Sequence, residues 1–172
     1  MQNLFSYPLK LEDMSAATQT YHLEADAAAL KFIAQVLKLP SVNNFKAEIN
    51  VRLRKKEHLV DVYGFVDSVV EHTSVISLER FEKKYHTDFS LLFDTQKTAA
   101  EIKELDFDFE DDVPDILENG QIDLAAIAME QLALVLDDFP RQEGEVFEFR
   151  SEFDEETTKA SNPFAVLKKL KK

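Results

Sequence analysis

The 172-residue chain contains no cysteine. That absence removes a disulfide framework, a thiolate metal site and a cysteine nucleophile together. Glycine is almost as scarce, with three in the chain. No phosphate-cradling loop, dinucleotide fingerprint or Gly-x-Ser-x-Gly elbow is present. No apolar run approaches the about 18 residues that a membrane span needs. The N-terminal "MQNLFSYPLKLED" lacks a basic start followed by an apolar core, so no secretory signal is expected. A cytoplasmic protein with no membrane association is the expectation. Bases are in deficit as well: 20 Lys and Arg against 33 Asp and Glu give a formal charge of −13. Affinity for a phosphate backbone comes from Lys and Arg that displace counterions. A general duplex binder is therefore disfavoured, and cationic partners are expected.

What the chain does have is apolar mass, 45% of residues with fourteen Phe among them. Residues 1–24 read as two short strands, "FSYPLKL" and "TQTYHLEA", with Pro8 suited to an edge. A helix over about 26–38 follows, with Asp26 as cap, Leu30, Ile33, Ala34 and Leu37 on one stripe and Pro40 as stop. "FKAEINVRLRK" alternates apolar and polar residues at period 2, the pattern of a strand with one wet face. "HLVDVYGFVDSVV" is a second strand, with Gly64 at a bulge or a close approach, and "KYHTDFSLLF" is a third. "TSVISLERF" turns between them. The fold class expected is α+β: an antiparallel sheet, open or curled into a partial barrel, packed with two main helices (about 26–38 and 123–137) and acidic loops. One domain over 1–172 is expected, with a flexible acidic segment at about 94–120 and a loosely ordered tail at about 142–172.

Little in the chain points to chemistry. His22, His58, His72 and His86 are scattered over predicted strands without metal-ligand spacing and read as ordinary strand or surface histidines. Carboxylates are so abundant that pairing any two as acid and base has no warrant. The expectation is no catalytic residue, no cofactor, no metal and no enzyme.

Between Glu101 and Glu118 acids run almost unopposed, with Lys103 the one base, and a second acidic stretch spans Glu143–Glu156. Phe107 and Phe109 interleave with the acids of the first run. That mixture suits a tether for a basic protein, and the plainer reading is a solubilising loop. Bases concentrate at Arg52, Arg54, Lys55 and Lys56 and at Lys168, Lys169, Lys171 and Lys172. A Lys-rich hairpin turn and a frayed helix end account for the two clusters; the alternative is a direct RNA footprint.

The most sharply written stretch is "NGQIDLAAIAMEQLALVLDDFPR", with Gly120 permitting a turn, Asp123 as cap and Pro140 as stop. Glu130 and Gln131 are its interior polar exceptions. A helix apolar nearly all round is expected to be buried on more than one side. Here the chain closely resembles the YceD family, the large ribosomal RNA subunit accumulation proteins. The resemblance rests on Gly120, Ile122, Asp123 and Leu124; on Glu130, Leu132, Leu134 and Leu136; on Pro140; and on Pro163, Phe164, Ala165 and Leu167. Upstream, "LEADAAALKFIAQVLKL", "TSVISLERF" and "DFSLLF" resemble the alphaproteobacterial branch. Many members carry cysteines near the segment matching Ser74–Phe81. This chain has Ser74, Leu78 and Phe81 there, so no metal or redox role carries over.

The resemblance implies a bacterial protein supporting synthesis, processing or stability of large-subunit ribosomal RNA. With the charge, it suggests a non-enzymatic ribosome biogenesis factor, a binding module for a basic ribosomal protein or assembly factor. Such a partner is expected to meet Phe107, Phe109, Asp111 and Asp112 of the acidic run, Glu130 and Gln131 of the helix, and Pro163 and Phe164 of the tail. Ribosomal RNA would be reached through that client, or directly in the alternative.

Overall fold

Two short strands, β1 (Pro8–Lys10) and β2 (Gln19–Glu24), precede the helix α1 (Ala27–Val36). Three long strands then form a meander: β3 (Ser41–Arg54), β4 (Leu59–Thr73) and β5 (Arg80–Asp94). Two short strands, β6 (Asp115–Ile116) and β7 (Gln121–Asp123), lead into the helix α2 (Leu124–Val135). The computed structural model describes residues 5–15, 17–96, 114–117 and 120–147. The chain divides into two compact units, Met1–Gln142 and Glu143–Lys172, and every element above belongs to the first.

The period-2 pattern puts one face of the meander in the core. Ala47, Ile49 and Val51 of β3 lie opposite Val66, Gly64 and Val62 of β4, and the same row continues into Thr87, Phe89 and Leu91 of β5. Val51, Val60, Val62 and Val70 have no solvent exposure. Burying each such side chain contributes about 1.5–3 kcal/mol, so this row and the helices covering it dominate the fold's stability. On the other face charges pair across strands, as in Lys46 with Glu24 at 3.0 Å and His86 with Asp67 at 2.8 Å.

Strand order is β2-β3-β4-β5-β6, open at both ends, with a separate two-stranded sheet of β1 and β7. The sheet therefore does not close into a barrel. Nor is the main sheet wholly antiparallel: β6 runs parallel to β5, pairing Phe93 with Asp115 and Asp94 with Ile116. Parallel pairing needs a long connection, and the stretch between β5 and β6 supplies one. β4 and β5 also run further than the alternation suggested, to Thr73 and from Arg80.

Gly64 marks a close approach and not a bulge; the irregularity in register lies at Val42/Asn44. A Cβ at Gly64 would sit 1.9 Å from the Glu48 carbonyl oxygen, so only glycine lets β3 and β4 pass here. Helix α1 starts where Asp26 accepts from the Ala28 and Ala29 amides at 3.0 and 2.8 Å. Its end is set before Pro40. Lys38 turns left-handed at φ 56, and Leu39 N–H closes back on the Ala34 carbonyl at 2.9 Å, a Schellman-type stop.

Asp123 does more than cap α2. One carboxylate oxygen accepts from the Ala125 and Ala126 amides at 3.0 and 3.2 Å and from the Tyr7 amide at 2.9 Å. The other accepts from the Ser6 hydroxyl at 2.6 Å. Helix start and chain start are thus tied to one side chain. Asp123→Ala is expected to cost about 2–3 kcal/mol, more than the ~1 kcal/mol of a lone cap. Gly64→Ala is expected to cost at least about 2 kcal/mol, because backbone must shift. Urea unfolding with an unchanged m-value checks both; a loss under ~0.5 kcal/mol at either site would contradict the geometry.

Candidate functional site

The inward row of the β4–β5 hairpin turns polar at its far end. Val70 and His72 of β4 face Lys83 and Phe81 of β5 in register, and Tyr85 follows one pair along. His72 is only 3% exposed and Tyr85 8%. Buried polar groups need partners, and these find them in each other. The Tyr85 hydroxyl and His72 Nε2 share a hydrogen bond of 2.7 Å, and the imidazole tautomer sets which one donates. The same hydroxyl reaches Asp137, just past α2, at 3.4 Å. Lys83 completes the chain: its ammonium donates to Asp137 and lies 5.2 Å from the centre of the Tyr85 ring. Phe81 stacks on His72 with ring centres 5.8 Å apart.

Beside this cluster opens a cleft of about 490 Å3 between the ends of α1 and α2. Leu37, Leu39, Pro40, Leu136 and Pro140 give it apolar walls, and His72, Asp137 and Asp138 line it as well.

The electrostatics of the cluster are those of a latch. Burial holds the His72 imidazole below the usual histidine range; Asp137 pulls it upward and Lys83 pushes it further down. The hydrogen bond from Lys83 holds the Asp137 carboxyl below its ordinary value, and the same bond raises Lys83. Burial pushes the Tyr85 hydroxyl up. Each group is thereby held in one protonation state by its neighbours and its burial. Among the described residues, no group of three or more His, Asp and Glu is arranged to hold a metal ion.

The residues expected to carry function are placed unevenly. Arg52 lies on the outer face of β3, and Lys55 and Lys56 are exposed in the β3–β4 turn. Arg54 is spent internally, on Glu57 and Asp61 at 2.7 Å each. Glu130 is exposed and Gln131 half-buried on α2. Neither lines the cleft. Phe107, Phe109, Asp111, Asp112, Pro163, Phe164, Lys168, Lys169, Lys171 and Lys172 lie outside the described residues, as do most of residues 94–120 and 142–172. The expectation for α2 is met in part. It buries Leu124, Ile127 and Leu132 against the sheet, while Ala133 and Leu134 on its outer side are exposed.

The latch was not foreseen. Reading His72 as ordinary missed that it shares parity with Val66, Ser68 and Val70, the buried row of its own strand. A histidine in that phase is buried and needs a partner. Tyr85 and Lys83 are identifiable as partners only once the hairpin register is known.

Residues 62–171 match the family described as large ribosomal RNA subunit accumulation protein YceD. The chain belongs to this family. The matched stretch takes in nearly all of β4, then β5, β6, β7 and α2, and so every member of the latch. It also includes Pro163 and Phe164. No curated protein and no solved structure matches the chain. No helix among the described residues of this YceD-family chain is long and apolar enough to cross a membrane.

The histidines supply a direct check. His72 is expected to titrate below about 6.5. His86, raised first by its hydrogen bond to Asp67 and further by Asp88, is expected above it. Because the folded pKa of His72 is depressed, the unfolded chain binds the extra proton in the window just under pH 6.5. Stability therefore falls as pH drops through that window, and His72→Leu should remove this component. Two-dimensional NMR titration gives the order of the two pKa values, and urea midpoints against pH give the stability change. A His72 resonance titrating above His86 would sink this account.

Proposed function

We propose that the chain serves large-subunit ribosomal RNA as a non-enzymatic acidic binding module that holds a basic ribosomal protein or assembly factor. The family name supplies the ribosomal RNA. The observation that carries the mechanism is the charge: −13 over the chain, with acids massed in Glu101–Glu118 and Glu143–Glu156. Such a field repels phosphate and draws cationic protein at rates that fall with salt. A cytoplasmic, bacterial setting belongs to the same proposal.

Crosslinking in cells, followed by a high-salt wash and identification of both protein and RNA, tests the reading. A basic protein joined directly to the chain is the expected product. RNA joined directly, with no basic protein enriched, would overturn it.

Direct RNA binding through Arg52, Lys55 and Lys56, with the lysines at 168–172, is the second reading. What favours it is the exposure of those three side chains on one strand end and turn. What weakens it is Arg54, the fourth member, already engaged by two carboxylates. Arg52→Glu with Lys55→Glu is expected to leave any RNA association within about twofold, as befits residues making no phosphate contact. A steep loss measured by filter binding, with the fold intact by circular dichroism, would favour the second reading.

A further inference from the structure

We propose that the β4–β5 turn and the segment after α2 form a docking surface for a cationic protein segment that carries exposed apolar side chains. This rests on the acidic-module reading and says where the client sits.

Four large apolar side chains stand in solvent at this end of the fold: Val75 at 52%, Leu78 at 76%, Leu134 at 72% and Phe139 at 80% exposed. Single exposed apolar residues need no explanation, but a group of them on neighbouring elements marks an interaction surface. The neighbourhood is built in. The Val75 amide donates to the Pro140 carbonyl at 2.9 Å, which fixes the turn against the segment bearing Phe139.

Leu78 adds strain. Its φ is 62, a left-handed conformation in which Gly or Asn would sit more easily. The turn is held by Leu78 N–H to the Ser74 carbonyl at 3.1 Å and by Ser74 N–H to the Glu79 carbonyl at 2.8 Å. The Ser74 hydroxyl oxygen also accepts from the Ile76 and Ser77 amides at 3.1 and 3.2 Å. A leucine kept in an unfavourable backbone state, with its side chain in water, gains no burial here. Outliers of that kind are found where a partner makes use of them. Alongside lies the cleft of about 490 Å3, where Leu37, Leu39 and Leu136 alternate with polar groups, of a size to take an aromatic or aliphatic anchor.

Charge decides the occupant. At the surface itself Asp137 and Asp138 line the cleft against one base, Lys38, and Glu79 is exposed in the turn, within a chain of net charge −13. A second copy would bring −13 against −13. A Lys- and Arg-rich segment is steered in by the net negative charge and anchored by its own apolar side chains.

The test uses the full-length chain and two labelled peptides of equal positive charge. One alternates Lys with Leu and Phe; the other has Ser in place of the apolar residues. Fluorescence anisotropy should show the amphipathic peptide binding tighter by at least about fivefold. Phe139→Ser and Leu78→Asn should each erase most of that difference. Asn suits the left-handed position, so the second variant should melt no lower than the parent, and its loss of binding cannot be unfolding. Equal binding of the two peptides, or variants that bind as the parent does, overturns the surface while leaving the acidic-module reading in place. If neither peptide binds, both fall. A parent dimer that becomes monomeric in Leu134→Ser assigns the surface to self-association and overturns the proposal. So does tighter peptide binding in Phe164→Ser, which would identify the chain's own tail as occupant.

Discussion

The side chain on which most of the architecture depends is Asp123. Its carboxylate takes two amides from the first turn of α2, one from Tyr7 and a hydroxyl from Ser6. The Tyr7 carbonyl in turn accepts from the Leu124 amide at 3.0 Å. These bonds align β1 with β7 and set where α2 starts. The helix then lies over the row of valines with Leu124, Ile127, Ala128 and Leu132 facing in. A helix apolar nearly all round has little preference for one face of its own. Pinning its first turn is what selects the buried one.

The far end of α2 is held by a second aspartate. Asp137 meets Lys83 and Tyr85, and through Tyr85 the buried His72. The two anchors differ in kind. Asp123 satisfies backbone amides that any helix leaves open, whereas Asp137 neutralises a lysine and completes a buried polar network. Such a network specifies one arrangement because removing any member leaves another unpaired. The helix is therefore fixed at both ends, and its exposed outer side and the loop beyond it are presented at a defined place.

Much of this was legible in the residues. Alternation in "FKAEINVRLRK" identified the buried face of β3, and Asp26 and Asp123 were readable as caps because a short acceptor precedes an apolar run. The family was legible in the order of small motifs around Gly120–Leu124 and Glu130–Leu136. What could not be read depends on elements distant in the chain. The pairing of β1 with β7 involves three residues on each strand, too few to show a period. The turn at Lys38 preceded the proline credited with ending α1, because a left-handed lysine leaves no mark in composition. The latch joins strands through register and a helix through packing, neither of which local pattern encodes. The exposure of Leu134 was hidden by the uniform greasiness of its helix.

The tie between Tyr7 and Asp123 spans 116 positions, while the long strands close through short turns. During synthesis from the N-terminus, β2, β3, β4 and β5 can pair as each emerges. β1 leaves the ribosome first and waits longest. It has no partner until residues 121–123 have been made, so a nascent chain holds a nearly complete sheet with its first strand still unmatched. Closing that long loop is slow relative to forming hairpins. Among the described strands β1 is thus the one whose partner lies furthest along the chain, and until the two meet Asp123 caps α2 without its tie to Ser6 and Tyr7.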